Sequence, residues 1–408
     1  MSALQKIDFL LKRYLKIPMF KVFCFFGGLL SPLADKETRK EKISNILVFQ
    51  GGGIGDVIRI FPCIRLLNEE FPRASITVLS PFGPAFFELF SHSHVISEHI
   101  TFDVSGKHKS ISSKLSLIRA LRKRSFDLIL CPQIGLGMIE FAVMSFLMRV
   151  PYRVGYDMHG SGFLYTSKIA LQETKSIYEQ HCALLKGAGI GDGKCEHSFK
   201  EPYLKIPEKD ISFAHSFLRD QRTTDNDLIF TISPVVMADR DNRSPQHDRP
   251  LSSLRVWPEH KYIDLINEII YSCRAKVIIL GDRIPQGPLS DFLIKTDSPD
   301  VISAINRTTL GQSAALIRLS RVFISNDSGL LHIALALKKP SIGIFGSTSP
   351  EQVIPSVDYC IPVWAGLECS PCFVHQPVPD FKCNHDMQCL RSISVEDVMT
   401  AVKQLVNS

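Results

Sequence analysis

The chain has 408 residues, more than one core comfortably organises and enough for two domains. An apolar fraction of 45% with 22% charge excludes a disordered or fibrous protein. The net charge of +6 suits an anionic ligand or an acidic membrane surface, but is too diffuse to argue for nucleic acid.

In chain order, the first feature is a basic N-terminal segment, residues 1–45. Its apolar stretch "IPMFKVFCFFGGLL" is shorter than the roughly 20 residues that span a bilayer, and Lys21 interrupts it. It is no convincing secretory signal either. The first thirty residues carry Lys6, Lys12, Arg13, Lys16 and Lys21 against Asp8 alone, with leucines and aromatics between them. Such a segment suits a helix lying in an anionic headgroup layer, or one docked on the protein's own surface. The expectation is a cytoplasmic protein, peripheral on the inner face of the cytoplasmic membrane, with thiols mostly reduced.

Past the charged linker "ADKETRKEKISN" come strand-like runs: "ILVFQ", "ASITVLS", "FDLILCP" and "PYRVGYD". Helical patterns alternate with them, in "DVIRIFPCIRLLNEEF", "SKLSLIRALRKR" and "GMIEFAVMSFLMR". The last is apolar nearly all round and reads as a buried helix, with a partner-binding or lipid-facing use as the alternative. "RALRKR" reads as a solvated helix face. "KEPYLKIPEKD" reads as a proline-bearing linker, and "SFAHSFLRDQRTTDND" as a surface helix and turn. A second series follows: "LIFTISP", "AKVIILG", "DVISAI", "RVFISND" and "PSIGIFG". Alternation of this kind implies parallel sheets with helices on both faces. The predicted division is 1–45, 46–215 and 216–408, the last two being facing α/β domains with a ligand cleft between their strand carboxyl ends.

The loop "GGGIGD" follows the first strand. A dinucleotide fingerprint needs glycine where Asp56 stands and an acid at the end of the second strand, where Ser80 and Pro81 stand. A carboxylate at a helix start would also meet a pyrophosphate like charge against like. No G-K-[ST] follows, so a P-loop fails as well, and an NAD-dependent oxidoreductase is the weakest reading. Gly52, Gly53 and Gly55, with Gly51, keep the loop bare for an acceptor. Asp56 caps the helix, and in a cleft it can also serve as a general base.

"FISNDSGLLHIALALKKPSIGIFGSTSP" carries the second motif. A strand ends at Asn326, Asp327-Ser328-Gly329 turn, and a helix begins with free N–H groups aimed into the cleft, which is a site for a phosphate pair. Ser347 and Thr348 close its other side.

Together these stretches, with "PYRVGYD", "TTLGQSAALIRLSRVFISNDSGLLHIALAL", "IFGSTSP" and the cysteine-bearing tail before "ISVEDVMTAVKQLV", resemble glycosyltransferase family 9, the heptosyltransferase-like enzymes of lipopolysaccharide and related bacterial surface-glycan assembly. The resemblance implies a GT-B architecture of two facing Rossmann-like domains, with acceptor in the first and nucleotide sugar in the second. It implies an inverting transferase that needs no metal or other cofactor for catalysis, with Asp56 as base. Its partners would be a nucleotide-diphosphate sugar and a saccharide or glycolipid acceptor. By the same likeness Arg255, in "R-x-W-P", assists the leaving diphosphate, with Arg243 and Arg249 as weaker candidates, and His332 faces phosphate. Asp282, directly after Gly281, stands near where the family holds the donor ribose. The loop differs there, so the donor base and sugar stay open, with ADP-heptose leading. A catalytically silent relative that binds a nucleotide sugar or scaffolds a glycan-assembly complex is the alternative.

The tail "ECSPCFVHQPVPDFKCNHDMQC" spaces Cys369, Cys372, Cys383 and Cys389 as C-x2-C-x10-C-x5-C, with His375 and His385 nearby. It admits a structural zinc far from the chemistry, two disulfides, or reduced packing thiols.

Overall fold

The protein is described by a computed structural model. It describes residues 43–407, except 91–92, 104–105, 135–136, 159, 173–174, 192–194, 196–202, 235–253, 283–287, 296–297 and 373–382. The basic N-terminal segment therefore lies outside the described residues, except for residues 43–45.

The first sheet contains β1 (Asn45–Phe49), β2 (Ser75–Ser80), β3 (Glu98–Thr101), β4 (Leu128–Cys131), β5 (Tyr152–Asp157) and β6 (Ser167–Ala170), in the order β3-β2-β1-β4-β5-β6. The second contains β7 (Leu228–Ser233), β8 (Ala275–Ile279), β9 (Val301–Ser303), β10 (Val322–Asn326), β11 (Ser341–Phe345) and β12 (Cys360–Trp364), in the order β12-β11-β10-β7-β8-β9. All pairings within the sheets are parallel. Each half thus repeats one order, and the direction in which successive strands are added reverses beside its first strand, between β1 and β4 and between β7 and β10. In open α/β sheets ligands sit outside the strand carboxyl ends at this switch point.

The helices that matter are α1 (Ile54–Glu70), α2 (Ile111–Arg122), α3 (Gly137–Leu147), α4 (Ile177–Gly187), α5 (Glu208–Asp220), α6 (Glu259–Cys273), α7 (Leu310–Leu319), α8 (Gly329–Ala336) and α9 (Val395–Asn407). Side-chain alternation on β1 separates two layers. Leu47 and Phe49 pack outward with Ile118 and Leu121 of α2 and Phe141 and Met144 of α3. Ile46 and Val48 face the other way, into a cluster that continues without a break to Leu331, Ile333 and Ala334 of α8. The two halves therefore share a hydrophobic seam, with α1 packed directly on α8. A separate cluster under α6 and α9 completes the second half, where buried Trp257 donates through Nε1 to the Ile393 carbonyl at 3.1 Å.

Three features differ from the sequence reading. Helix α5 begins at Glu208, straight after Pro207 and inside the presumed linker, because proline suits a helix start. It packs along α7. Helix α3 is not buried all round, since Phe146 and Leu147 near its end are 50% and 41% exposed. Cys182 of α4 forms a disulfide with Cys195, whereas eight other described cysteines are free. Among the described residues no helix is long and apolar enough to cross a membrane.

Candidate active site

The loop after β1 and the turn after β10 meet across the seam. At the start of α1, Asp56 occupies the third helical position and its Oδ2 accepts from the Gly53 N–H at 2.8 Å, one half of a capping box. Its Oδ1 pairs with Arg59 one turn on. The Asp56 side chain remains 42% exposed, whereas that of Arg59 is 7% exposed. Asp56 is thus held at two points and open on the rest.

The glycines explain the tightness. A Cβ on Gly55 would stand 2.5 Å from His332 Cδ2, and one on Gly329 would stand 2.9 Å from Ile54. Bare backbone at both positions lets the two helix starts touch. A Cβ on Gly52 would meet Asp56 Oδ2 at 2.3 Å, and one on Gly51 would strike the Phe141 ring. Only Gly53 of this loop has room, with nothing nearer than Asp56 Oδ2 at 3.8 Å.

On the facing side, Ser328 caps α8. Its Oγ accepts from the Leu331 N–H at 3.3 Å and contacts Ser325 Oγ at 2.7 Å. The N–H groups of Gly329 and Leu330 fall outside the helix's own ladder, and both residues are partly exposed, which leaves a positive helix end suited to an anion. Ser347 and Thr348, after β11, are buried. Asn326 Nδ2, His332 Nδ1 and Thr348 Oγ1 are buried without a hydrogen-bond partner among the described residues. Native interiors seldom strand polar atoms. Two of these, on Asn326 and His332, belong to the strand end and the helix that flank the turn, and leave hydrogen-bonding capacity there.

A row of charged and polar side chains crosses the seam. Arg255 Nη1 lies 3.9 Å from Asp327 Oδ2, and His332 Nε2 lies 3.7 Å from Asp327 Oδ1. Arg59 Nη1 lies 3.2 Å from His332 Nε2, and Arg59 pairs with Asp56. Arg255 is placed by Trp257, two residues on and fully buried. Burial opposes the charge on Asp327, but His332, Arg255 and Arg59 together outweigh it and hold the carboxyl well below the usual carboxylate range. His332 moves the other way. Burial and then the Arg59 charge lower it, against Asp327 and Asp56, so its ring is neutral. His332 Nε2 thus stands between a guanidinium that only donates and a carboxylate that only accepts, and the ring tautomer sets which of the two it serves. Burial also works against Arg59, but Asp56 foremost raises it above its ordinary value.

The structure thus brings Asp56, Gly55, Asp327, Gly329, His332 and Arg255 into one contact row, with Ser328 at its helix cap. Ser347 and Thr348 lie at the end of β11, the strand beside β10. Asp282 is exposed just beyond β8. Arg243, Arg249 and His375 lie outside the described residues. Sequence reasoning missed Arg59. Its signal was a cation three residues after Asp56 inside the otherwise apolar run Val57–Ile64. The cysteine tail is also closer than expected: the Cys372 N–H donates to the Ser347 carbonyl at 3.1 Å, and Ser370 Oγ donates to the Gly346 carbonyl. The Cys389 thiol is pushed up to about 11, by burial first and then by Cys372, Cys369 and Cys383. No metal-holding group of three or more side chains stands among the described residues.

Two Rossmann-like halves meeting at their switch points define the GT-B class of two-domain glycosyltransferase folds. Residues 114–380 match glycosyltransferase family 9 (heptosyltransferase), and the chain belongs to that family and is a glycosyltransferase. It is 23% identical over 317 residues to lipopolysaccharide heptosyltransferase 2 of Escherichia coli K12, covering 76% of this chain and 85% of that one. Among solved structures, a family 9 glycosyl transferase from Veillonella parvula superposes with a TM-score of 0.69 at 18% identity, over 91% of this chain and all of that one. The E. coli ADP-heptose lipopolysaccharide heptosyltransferase II gives 0.61 at 19%, over 88% and 98%. The iron-containing dodecameric heptosyltransferase TibC, solved with ADP-D-β-D-heptose, gives 0.54 at 12%, over 91% and 78%.

Proposed function

We propose that this enzyme transfers a heptose from ADP-heptose to a lipopolysaccharide-core or related glycolipid acceptor, inverting the anomeric centre, with Asp56 as general base. The relatives' names supply the donor and acceptor classes. The observation that carries the mechanism is the juxtaposition of a half-exposed, doubly tethered Asp56 carboxylate with the open start of α8. As the acceptor oxygen bonds to the anomeric carbon, its proton passes to Asp56 and the bond to the diphosphate breaks. The departing phosphate gathers negative charge, which the Gly329 and Leu330 N–H groups and Arg255 stabilise. Asp327 keeps Arg255 in place, and Ser347 and Thr348 line the same phosphate site. These groups do the work without a metal. Asp282 is assigned to the donor ribose side and Gly53 to the acceptor side. The basic N-terminal segment places the enzyme peripherally on the inner face of the cytoplasmic membrane.

Asp56→Asn tests the assignment, with donor binding by calorimetry beside turnover by product release. Retained binding with turnover down by roughly 100-fold or more is expected for loss of a general base. Normal turnover in this variant refutes the mechanism. A thermal-shift screen against ADP-, UDP-, GDP- and CDP-sugars identifies the base, since a ligand selective for the native state raises the midpoint with occupancy.

A further inference from the structure

The solvent-facing side of the first half's outer layer, α2 and α3, takes no part in the site. Of the five large hydrophobic side chains exposed among the described residues, four belong to it: Ile111 at 79%, Leu115 at 38%, Phe146 at 50% and Leu147 at 41%. Concentration on one helix pair is unlike the single scattered exposures normal for a soluble surface. Ile111, Leu115, Arg119 and Arg122 follow at helical spacing, so apolar and cationic side chains share one stripe of α2. From residue 104 to 126 the sequence contains seven lysines and arginines and no acid. Lys114 is tied to Glu140 of α3, and Arg124 to Glu98. Arg119, Arg122 and Lys123 remain exposed.

We infer that this α2–α3 face is a docking surface for an anionic phospholipid bilayer. Charge complementarity selects the occupant: apolar side chains seat at the acyl boundary while the cations meet lipid phosphates. The fold orients it usefully. The layer lies on the sheet face opposite the seam, so docking leaves the second half unobstructed. Helix α2 follows the carboxyl end of β3, which puts Ile111 on the rim that also carries the loop after β1. A lipid-borne acceptor in that leaflet approaches Asp56 from the membrane side. At the opposite rim, Ser44 donates to Asp127, just after the Arg122–Arg124 run. The start of the described domain thus lies beside the basic end of α2.

The test uses the full chain and vesicles of phosphatidylcholine with or without phosphatidylglycerol, read by co-sedimentation at low and high salt. Wild-type protein is expected to bind the anionic vesicles, and to lose that binding at high salt. The double variant Ile111→Ser/Phe146→Ser and the triple variant Arg119→Gln/Arg122→Gln/Lys123→Gln are each expected to lower the partition coefficient roughly tenfold or more. Tyr271→Ser, at the exposed hydrophobic of the other half, should leave it unchanged. Thermal stabilisation by ADP, measured in parallel, reports folding and the nucleotide site separately from membrane contact. Vesicle binding unaffected by either multiple variant overturns the proposal, because residues 1–42 alone then account for it. So does wild-type protein that ignores anionic vesicles. Self-association in gel filtration that Ile111→Ser/Phe146→Ser abolishes, without vesicle binding, assigns the face to a second copy instead.

Discussion

Replacing Arg59 with methionine separates positioning from bulk in the active row. Methionine retains much of the buried length while removing the charge and both guanidinium contacts. His332 Nε2 then loses the guanidinium 3.2 Å away, and a buried unsatisfied group costs roughly 1–3 kcal/mol. Asp56 is 42% exposed and rehydrates, so the lost ion pair weighs at most about 1 kcal/mol. Against both stands the desolvation penalty of a buried guanidinium, which the variant no longer bears. The net stability change is therefore expected within about 2 kcal/mol, and the protein stays folded. Catalysis should suffer more. The carboxylate loses the tether that orients it, and a 10- to 100-fold fall in kcat, about 1.4–2.7 kcal/mol, is the expected size. The donor KM should hold within about twofold, because no donor-side group is removed. Arg59→Lys should recover part of the rate, since it restores charge without the fork that reaches both partners. The assay is initial-rate kinetics of nucleotide release beside urea unfolding. An unchanged kcat, or a loss no larger than the unfolded fraction explains, refutes the reasoning.

Gly55→Ala should cost about 1–3 kcal/mol and weaken nucleotide binding, because His332 cannot recede from the new methyl, whereas Gly53→Ala should be tolerated; urea denaturation and calorimetry compare them. His332 is held neutral by burial and Arg59, while the unfolded chain protonates it near pH 6.5. Its contribution to stability is thus complete above about pH 6.5 and shrinks as pH falls below it, by up to about 1.4 kcal/mol per unit. His332→Gln should flatten that acid-side decline in Tm, with His99 and His108 as a background common to both proteins; parallel curves contradict it. The four-cysteine tail is either a structural metal site or a set of packing thiols. Elemental analysis decides: about one metal ion per chain, lost in Cys372→Ser together with a lower Tm, makes it a metal site, and metal-free wild-type protein makes the thiols packing groups.

Local pattern made most of the fold legible. Nine of the twelve strands stood out as apolar runs, since strands buried on both faces must be apolar throughout. The three missed strands are edges. β3 and β6 are only partly buried along their length, and β12 carries Pro362, which an edge position tolerates. Such strands have no continuous apolar signature to read. For the site, letter order alone excluded a dinucleotide loop and singled out Asp56 and the Asp327-Ser328-Gly329 turn, because capping and turn chemistry act within a few residues.

The partnership between those two segments was beyond that range. Asp56 and Asp327 are 271 positions apart, and nothing local says that α1 lies on α8, that Gly55 is bare to admit His332, or that Arg59 joins the two. Backbone preference and periodicity are short-range and leave their mark on neighbouring letters. Close approach, desolvation and the neutral state of a buried imidazole arise only when distant surfaces exclude water together, and the tertiary structure alone decides them.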